Sequence, residues 1–172
     1  MKTAKSIILP SIYTAILIGG QFVLSGISGV ELVTVLFLAF CYKYGVKQGL
    51  LVANAFSLLR CFVFGFFPNV ILLYLIYYNI FAIVFGLFGN ACKNAYGKKK
   101  HITTILLALP MTALFTLIDN ILTPLLYGFT RQAAKAYFIA SLYAVLPQLL
   151  CSLITVTWLF PIILKLLPNQ AE

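Results

Sequence analysis

The chain has 172 residues, of which 63% are hydrophobic and 9% charged, with a formal net charge of +9 and a mean hydropathy of +1.06. Soluble domains carry about 45–50% apolar and about 25% charged residues, so this composition specifies an integral membrane protein and leaves no room for a soluble catalytic domain beside it. The positive charge comes from lysines in short loops between apolar runs, the pattern that orients a chain in a membrane, and nucleic-acid binding is not expected.

Lys2 and Lys5 precede an apolar stretch over 7–24. It superficially resembles a signal peptide, but it is long enough to span and further spans follow, so it is taken as a retained first helix. Pro10 falls in its first turn, where a missing N–H does least harm. Ser11, Ala15 and Gly19 recur every four residues along one face, a small-residue stripe that lets another helix approach closely in lipid. It would serve either packing inside the bundle or docking of another subunit. Residues 21–29 form a Ser/Gly-bearing connection.

Segment two covers about 30–42 and opens on Glu31, the only acid before Asp119. It is short for a hydrocarbon core of about 30 Å, so it must tilt, begin inside a protein-lined cavity or borrow length from its flanks. A turn bearing Lys43 and Lys47 leads to segment three, about 48–66. There Asn54, Ser57 and Arg60 lie three residues apart, roughly on one side of a helix. That side should face protein or water.

Gly65 to Asn69, with Pro68, signals a turn, and segment four runs over about 70–88 with Tyr74, Tyr77, Tyr78 and Asn79. Some of these tyrosines fit an interfacial belt. The loop 90–101 holds Lys93 and the Lys98, Lys99, Lys100 run, the strongest topological signal in the chain. Segment five, about 102–122, contains Pro110, where a kink is expected. Asp119 and Asn120 come near its end, and Thr123-Pro124 should terminate it. A looser connection over 125–136 holds Arg131 and Lys135. Segment six, about 137–164, contains Pro147 and Pro161 with Gln148, Ser152 and Trp158, and Lys165 closes it. The expectation is an all-α integral membrane bundle of six transmembrane helices, a single domain over 1–172.

With a cytoplasmic N-terminus, nine of the twelve basic residues fall inside and only Arg131 and Lys135 outside, Arg60 lying within a span. This bias puts both termini in the cytoplasm. Arg60 then lies about 9 Å below Phe66 at 1.5 Å rise per residue. Glu31, Asp119 and Asn120 sit at the outer ends of their segments, with Asn79 and Gln148 deeper. An unpaired charge in hydrocarbon costs several kcal/mol, so Arg60 needs Glu31, Asp119, carbonyls or trapped water. The polar set therefore forms either an ion pair that fixes helix register or a pocket open to the outside for a polar or anionic ligand. Expected substrate-binding residues are Glu31, Asn54, Arg60, Tyr78, Asn79, Asp119, Asn120 and Gln148.

Catalysis has little to work with. His101 is the sole histidine and lies at the lysine-rich end of segment five. No HExxH, GxSxG or P-loop sequence is present, and Asp119 is far from His101. Cys41, Cys61, Cys92 and Cys151 are scattered without metal-ligand spacing. No catalytic residue, metal or cofactor is expected.

Six short spans, the small-residue stripe, the Gly29-Val-Glu31-Leu-Val-Thr34 opening of segment two, the Asp119-Asn-Ile-Leu-Thr-Pro124 turn and the Phe160-Pro161 ending together resemble the substrate-binding S component of an energy-coupling factor (ECF) vitamin transporter. The resemblance covers nearly the whole chain, through diffuse signals. It implies a non-enzymatic bundle in a prokaryotic plasma membrane that captures a vitamin or related micronutrient from outside. It further implies a transmembrane coupling subunit and two ATPases of the ATP-binding cassette type as partners. In such families an AxxxA stripe of the first helix meets the coupling subunit. The matching positions here are Ala15 and Gly19, with Ser11 one step earlier, so the second Ala is Gly and the small surface is kept. Family members bind unlike vitamins with different pocket residues, so no ligand contact carries over. The competing expectation is a structural or assembly membrane protein whose buried charges only fix helix packing.

Overall fold

In lipid every backbone N–H and C=O must find its partner within its own segment, so long apolar runs become helices. The computed structural model of the chain describes residues 2–27, 32–92 and 97–168, with side chains described from residue 7 onwards. Among these residues the regular structure is entirely helical: α1 (Lys2–Leu24), α2 (Val33–Leu59), α3 (Cys61–Phe64), α4 (Pro68–Ala91), α5 (Lys98–Leu126) and α6 (Arg131–Leu166). Five of the helices are long and apolar enough to cross a membrane, the second counted as one run with α3. Large apolar side chains such as Ile12, Leu51, Ile83, Leu106 and Leu146 cover the outside of the bundle, as expected of a surface that faces lipid.

Segments two and three are the two arms of α2, 33–44 and 46–59, joined at Gly45 with φ 77° and ψ −177°. That positive φ is readily available only to glycine, and here it reverses the chain. Phe37 meets Tyr78 and Phe81 while Tyr42 meets Phe88, so the first arm runs alongside α4 in the same direction. Phe56 meets Tyr74 and Tyr78, so the second arm runs back toward the start of α4. Two glycines of α4 allow this fit. A methyl on Gly86 would lie 2.6 Å from the Val46 backbone nitrogen, and one on Gly89 would overlap the Tyr42 carbonyl oxygen.

The core is an aromatic column between these helices. Phe37, Phe56, Phe81 and Phe85 are fully buried and Tyr74, Tyr77 and Tyr78 nearly so. Phe115 of α5 joins it edge-on to Tyr74 and Tyr77, with centroids 5.8 and 5.0 Å away. Edge-to-face pairs of this kind contribute about 0.5–1.5 kcal/mol each beyond burial.

Several helices extend past their sequence-based bounds. α5 runs through Pro124 to Leu126. A proline so near the C-terminus removes only the bond to the Asn120 carbonyl, and Tyr127 N–H still donates to Thr123 O at 3.1 Å. α6 starts at Arg131 because Thr130 caps it, its hydroxyl accepting from Ala133 N–H at 3.3 Å. Arg131 and Lys135 thus belong to the first turns of a helix rather than to a loop.

The lysine-bearing end is built by helix C-termini. Lys43 Nζ donates to the Leu167 carbonyl at 2.6 Å and the Leu164 carbonyl at 3.4 Å, closing α6. Lys100 Nζ donates to the Cys92 carbonyl at 2.9 Å, just past α4. Cations placed there meet the negative end of the helix dipole. Tyr13 of α1 packs on Phe40 near this end, while Gln21 reaches Arg60 at the other. The start of α1 and the end of α6 therefore lie at the same end of the bundle.

Candidate ligand site

The first arm of α2 holds 12 residues, 33–44, which at 1.5 Å per residue rise only about 18 Å. It therefore stops well short of a bilayer's thickness, and a cavity of about 260 Å³ lies at its N-terminal end. The walls come from Gly20, Gln21 and Leu24 of α1, Ser25 and Ile27 beyond it, Leu32 and Val33 at the start of α2, Phe64 of α3, and Tyr74 and Tyr78 of α4. A short segment that begins at a protein-lined cavity is one of the three solutions its length allowed.

Arg60 stands at the joint between α2 and α3, its backbone N–H still bonded to Phe56 O at 3.1 Å. The side chain is buried, at 8% exposure. Its guanidinium carbon lies 4.1 Å from the Tyr74 ring centroid and 4.9 Å from that of Phe64. Nε donates to Gln21 Oε1 at 3.2 Å, and Gln21 Nε2 donates to the Tyr74 hydroxyl at 2.8 Å. Gln21, Phe64 and Tyr74, the three side chains that hold Arg60, all line the cavity. Cation–π contacts of desolvated guanidinium groups reach about 2 kcal/mol, which offsets part of the burial.

The other expected site residues fall into separate groups. Tyr78 lines the cavity and packs edge-on to Phe37 and Phe56. Asn54 and Asn79 pair with each other, Nδ2 to Oδ1 at 3.2 and 3.1 Å in the two directions. Each also donates to the carbonyl one turn back, of Leu50 and Leu75. Asn54 is exposed on the outer surface, so this pair ties the second arm of α2 to α4 away from Arg60.

Asp119 and Asn120 lie where α5 meets α6. Asp119 accepts from the Thr123 hydroxyl at 2.6 Å and the Tyr137 hydroxyl at 2.5 Å. Thr123 in turn accepts from Asn69 Nδ2 at 3.1 Å, and Asn69 Oδ1 accepts from Tyr127 at 3.1 Å. Asn120 Nδ2 donates to Ser141 Oγ at 2.7 Å. Its buried Oδ1 has no partner among the described residues. Gln148 Oε1 accepts from Thr116 at 3.5 Å, one turn from the Thr112–Ser152 bond of 3.0 Å. These form a polar seam between α5 and α6, and among the described residues no ion pair joins Asp119 to Arg60.

Glu31 lies outside the described residues. Ser11, Ala15 and Gly19 are all on the exposed face of α1, and a methyl built on Gly19 would meet nothing within 4 Å. The stripe therefore packs against no other helix of this chain among the described residues. None of the four cysteines is in a disulfide. Among the described residues no three His, Cys, Asp or Glu side chains gather where they could hold a metal ion.

Of the ten wall residues only Tyr78 is in the expected set; Gln21 and Tyr74, which bond to each other beside Arg60, are not. The sequence places Gln21 in the connection after the first segment, yet α1 continues to Leu24. The available signal was its polarity inside a helix otherwise apolar on that turn. No known family model, curated protein or solved structure matches this chain.

Proposed function

We propose that the chain is the substrate-capture membrane subunit, the S component, of an ECF-type importer. It would bind a vitamin or related micronutrient in an outward-facing cavity and deliver it with a separate coupling subunit and two ATPases. The observation that carries this reading is the cavity at the start of α2, backed by a buried Arg60 held by three of its wall residues. Small-molecule sites are concave and largely apolar, with a few placed polar groups. This cavity combines four aliphatic side chains and three rings with Gln21, Ser25 and the adjacent Arg60.

In this reading the membrane is crossed six times, by α1, the two arms of α2, α4, α5 and α6. The opposed directions of the two arms along α4 support that count. Lys43, Lys47, Lys98, Lys99, Lys100 and Lys165 then mark the cytoplasmic end and the cavity opens at the other. Ligand contact is assigned to Arg60, Gln21, Tyr74 and Tyr78. The paired Asn54 and Asn79, and the seam of Asp119, Asn120 and Gln148, hold helices together. The exposed stripe of Ser11, Ala15 and Gly19 is assigned to the coupling subunit.

The test is to purify the chain, release whatever it carries and identify it by mass spectrometry, followed by binding assays over a vitamin panel. One retained compound that rebinds with sub-micromolar affinity supports the proposal. An empty protein that binds nothing on the panel overturns it.

A further inference from the structure

The lysine-bearing end of the bundle carries positive charge that no described carboxylate answers. Lys43, Lys47, Lys98, Lys99, Lys100 and Lys165 gather there. They are brought together by the Lys43 bonds to the end of α6, the Lys100 bond to the end of α4 and the close approach of Val46 to Gly86 on α4. Asp119 is at the opposite end, because Thr123, which bonds it, also bonds Asn69 in the first turn of α4. From Asn69 to the last residue of α4 is about 33 Å at 1.5 Å per residue, against a screening length of about 10 Å at 0.1 M salt. Glu31 and Glu172 lie outside the described residues.

The repulsion is worst in the first turn of α5, which holds Lys98, Lys99 and Lys100 and no acid. Cations at a helix N-terminus meet the positive end of the dipole and are unfavourable there. Lys100 turns back to the Cys92 carbonyl. Lys98 and Lys99 are exposed, and no described residue bonds their ammonium groups. Lys47, at the start of the second arm of α2, is exposed in the same way. Beyond Lys98, Ile102 and Leu106 follow at four-residue intervals on the same face of α5, and they are 57% and 64% exposed. A cation standing over apolar side chains that turn outward matches a lipid, headgroup against the lysine and acyl chain along the stripe. A soluble acidic partner would match the lysines but not the apolar stripe that continues from them.

We infer that this end of the bundle binds anionic phospholipid, the headgroup phosphate lying against Lys98 and Lys99 with Lys47 contributing from α2, and an acyl chain running along Ile102 and Leu106. A zwitterionic headgroup brings its own cation beside the phosphate and gains less from three lysines. Each lysine near an anionic membrane surface adds about fivefold to binding. The lysines then do more than orient the chain: they select the lipid of one leaflet, which in turn relieves the repulsion in the first turn of α5. The inference needs only that the helices stand in a bilayer, so it is independent of what the cavity takes up.

The test uses the purified full chain, stripped of lipid in a neutral maltoside detergent, with dioleoyl phosphatidylglycerol, dioleoyl phosphatidylcholine and free glycerol phosphate as probes. Native mass spectrometry gives the dissociation constants, and thermal unfolding gives the stabilisation. Phosphatidylglycerol should bind roughly tenfold to a hundredfold more tightly than phosphatidylcholine and raise the melting temperature, an effect that shrinks as salt is added. Lys98→Gln with Lys99→Gln should cut the preference roughly tenfold or more, and Lys98→Gln or Lys47→Gln alone about fivefold. In lipid-free detergent the double variant should melt at the wild-type temperature or above it, because two cations have left the positive end of a helix dipole. A purely structural role for these lysines would lower it. Lys135→Gln, in the first turns of α6 at the other end, should leave the preference unchanged. Equal binding of the two lipids, a wild-type preference in the double variant, or equal stabilisation by free glycerol phosphate overturns the inference. So does a double variant that keeps the lipid preference and loses capture of a coupling subunit, which assigns the lysines to an acidic protein surface.

Discussion

Arg60 lies over the ring of Tyr74, 4.1 Å from its centroid, and the two residues share Gln21, which accepts from the guanidinium and donates to the phenol. The cation is thus fixed by ring faces and one amide, all from residues that line the cavity. Arg60→Ala removes the only described positive side chain beside the cavity, and each lost hydrogen bond to a charged group is worth about 1.5–3 kcal/mol. Affinity for the retained ligand should fall roughly tenfold to a hundredfold. Tyr74→Phe keeps the ring and loses only the bond to Gln21, so its loss should be smaller. Titration of the wild type and both variants with the co-purified ligand checks this. An unchanged Kd for Arg60→Ala would remove Arg60 from the site.

The membrane class, the helices and the chain reversal at Gly45 are legible in the sequence because hydropathy, lysine loops and a Lys-Tyr-Gly-Val-Lys turn report on local chemistry. The partners of the polar residues are not, and the stripe of Asn54, Ser57 and Arg60 shows why. Three residues advance a helix by about 300°, so each step drifts about 60° and two steps about 120°. That drift carries the line from Asn54 on the outer surface to Ser57 and Arg60 in the interior. Tyr78 and Asn79 are neighbours in sequence, yet about 100° apart on α4 they face the cavity and the second arm of α2. Tyr74 fits an interfacial belt by type, and only its contacts with Arg60 and Phe115 put it at the cavity. Periodicity gives a face but neither depth nor partner.

The reciprocal Asn54–Asn79 pair should behave as a lateral tie between helices. Each amide uses both N–H bonds and its oxygen within the pair and the preceding turn, so no polar atom is left to lipid. Asn54→Leu strands the Asn79 amide and should destabilise the protein by about 1 kcal/mol, within the range for interhelical hydrogen bonds in membranes. Asn79→Leu should do the same, and the double substitution should recover most of the loss. Denaturation of the four proteins in detergent gives the coupling energy. Additive losses would show that the pair has no joint effect, and a fall in ligand affinity at constant stability would make it part of the binding site.

The packing of α4 against the Gly45 bend makes a sharper stability prediction. Gly89→Ala places a methyl into the Tyr42 carbonyl, and no side-chain rotation can relieve a clash with backbone. Overpacking typically costs about 1–3 kcal/mol, so the melting temperature should drop clearly. Gly97→Ala, with nothing within 4 Å of the added methyl, is the matched control. Equal melting of Gly89→Ala and wild type would show that the two helices can separate at that point at no cost.

The α1 stripe separates assembly from capture. Ser11, Ala15 and Gly19 are exposed, and Gly19 has open space around it. A larger side chain there cannot disturb the described bundle, whereas Gly20 next to it faces the cavity. Helices in lipid associate by close backbone approach across such small residues, which a leucine would block. Gly19→Leu should therefore abolish co-purification with a coupling subunit while leaving the melting temperature and ligand affinity unchanged. Pull-down of the coupling module from a host that supplies one, run beside the ligand titration, reads both at once. Unchanged assembly would remove the stripe from the docking surface, and a parallel loss of ligand binding would show that the substitution acts through the fold of α1 instead.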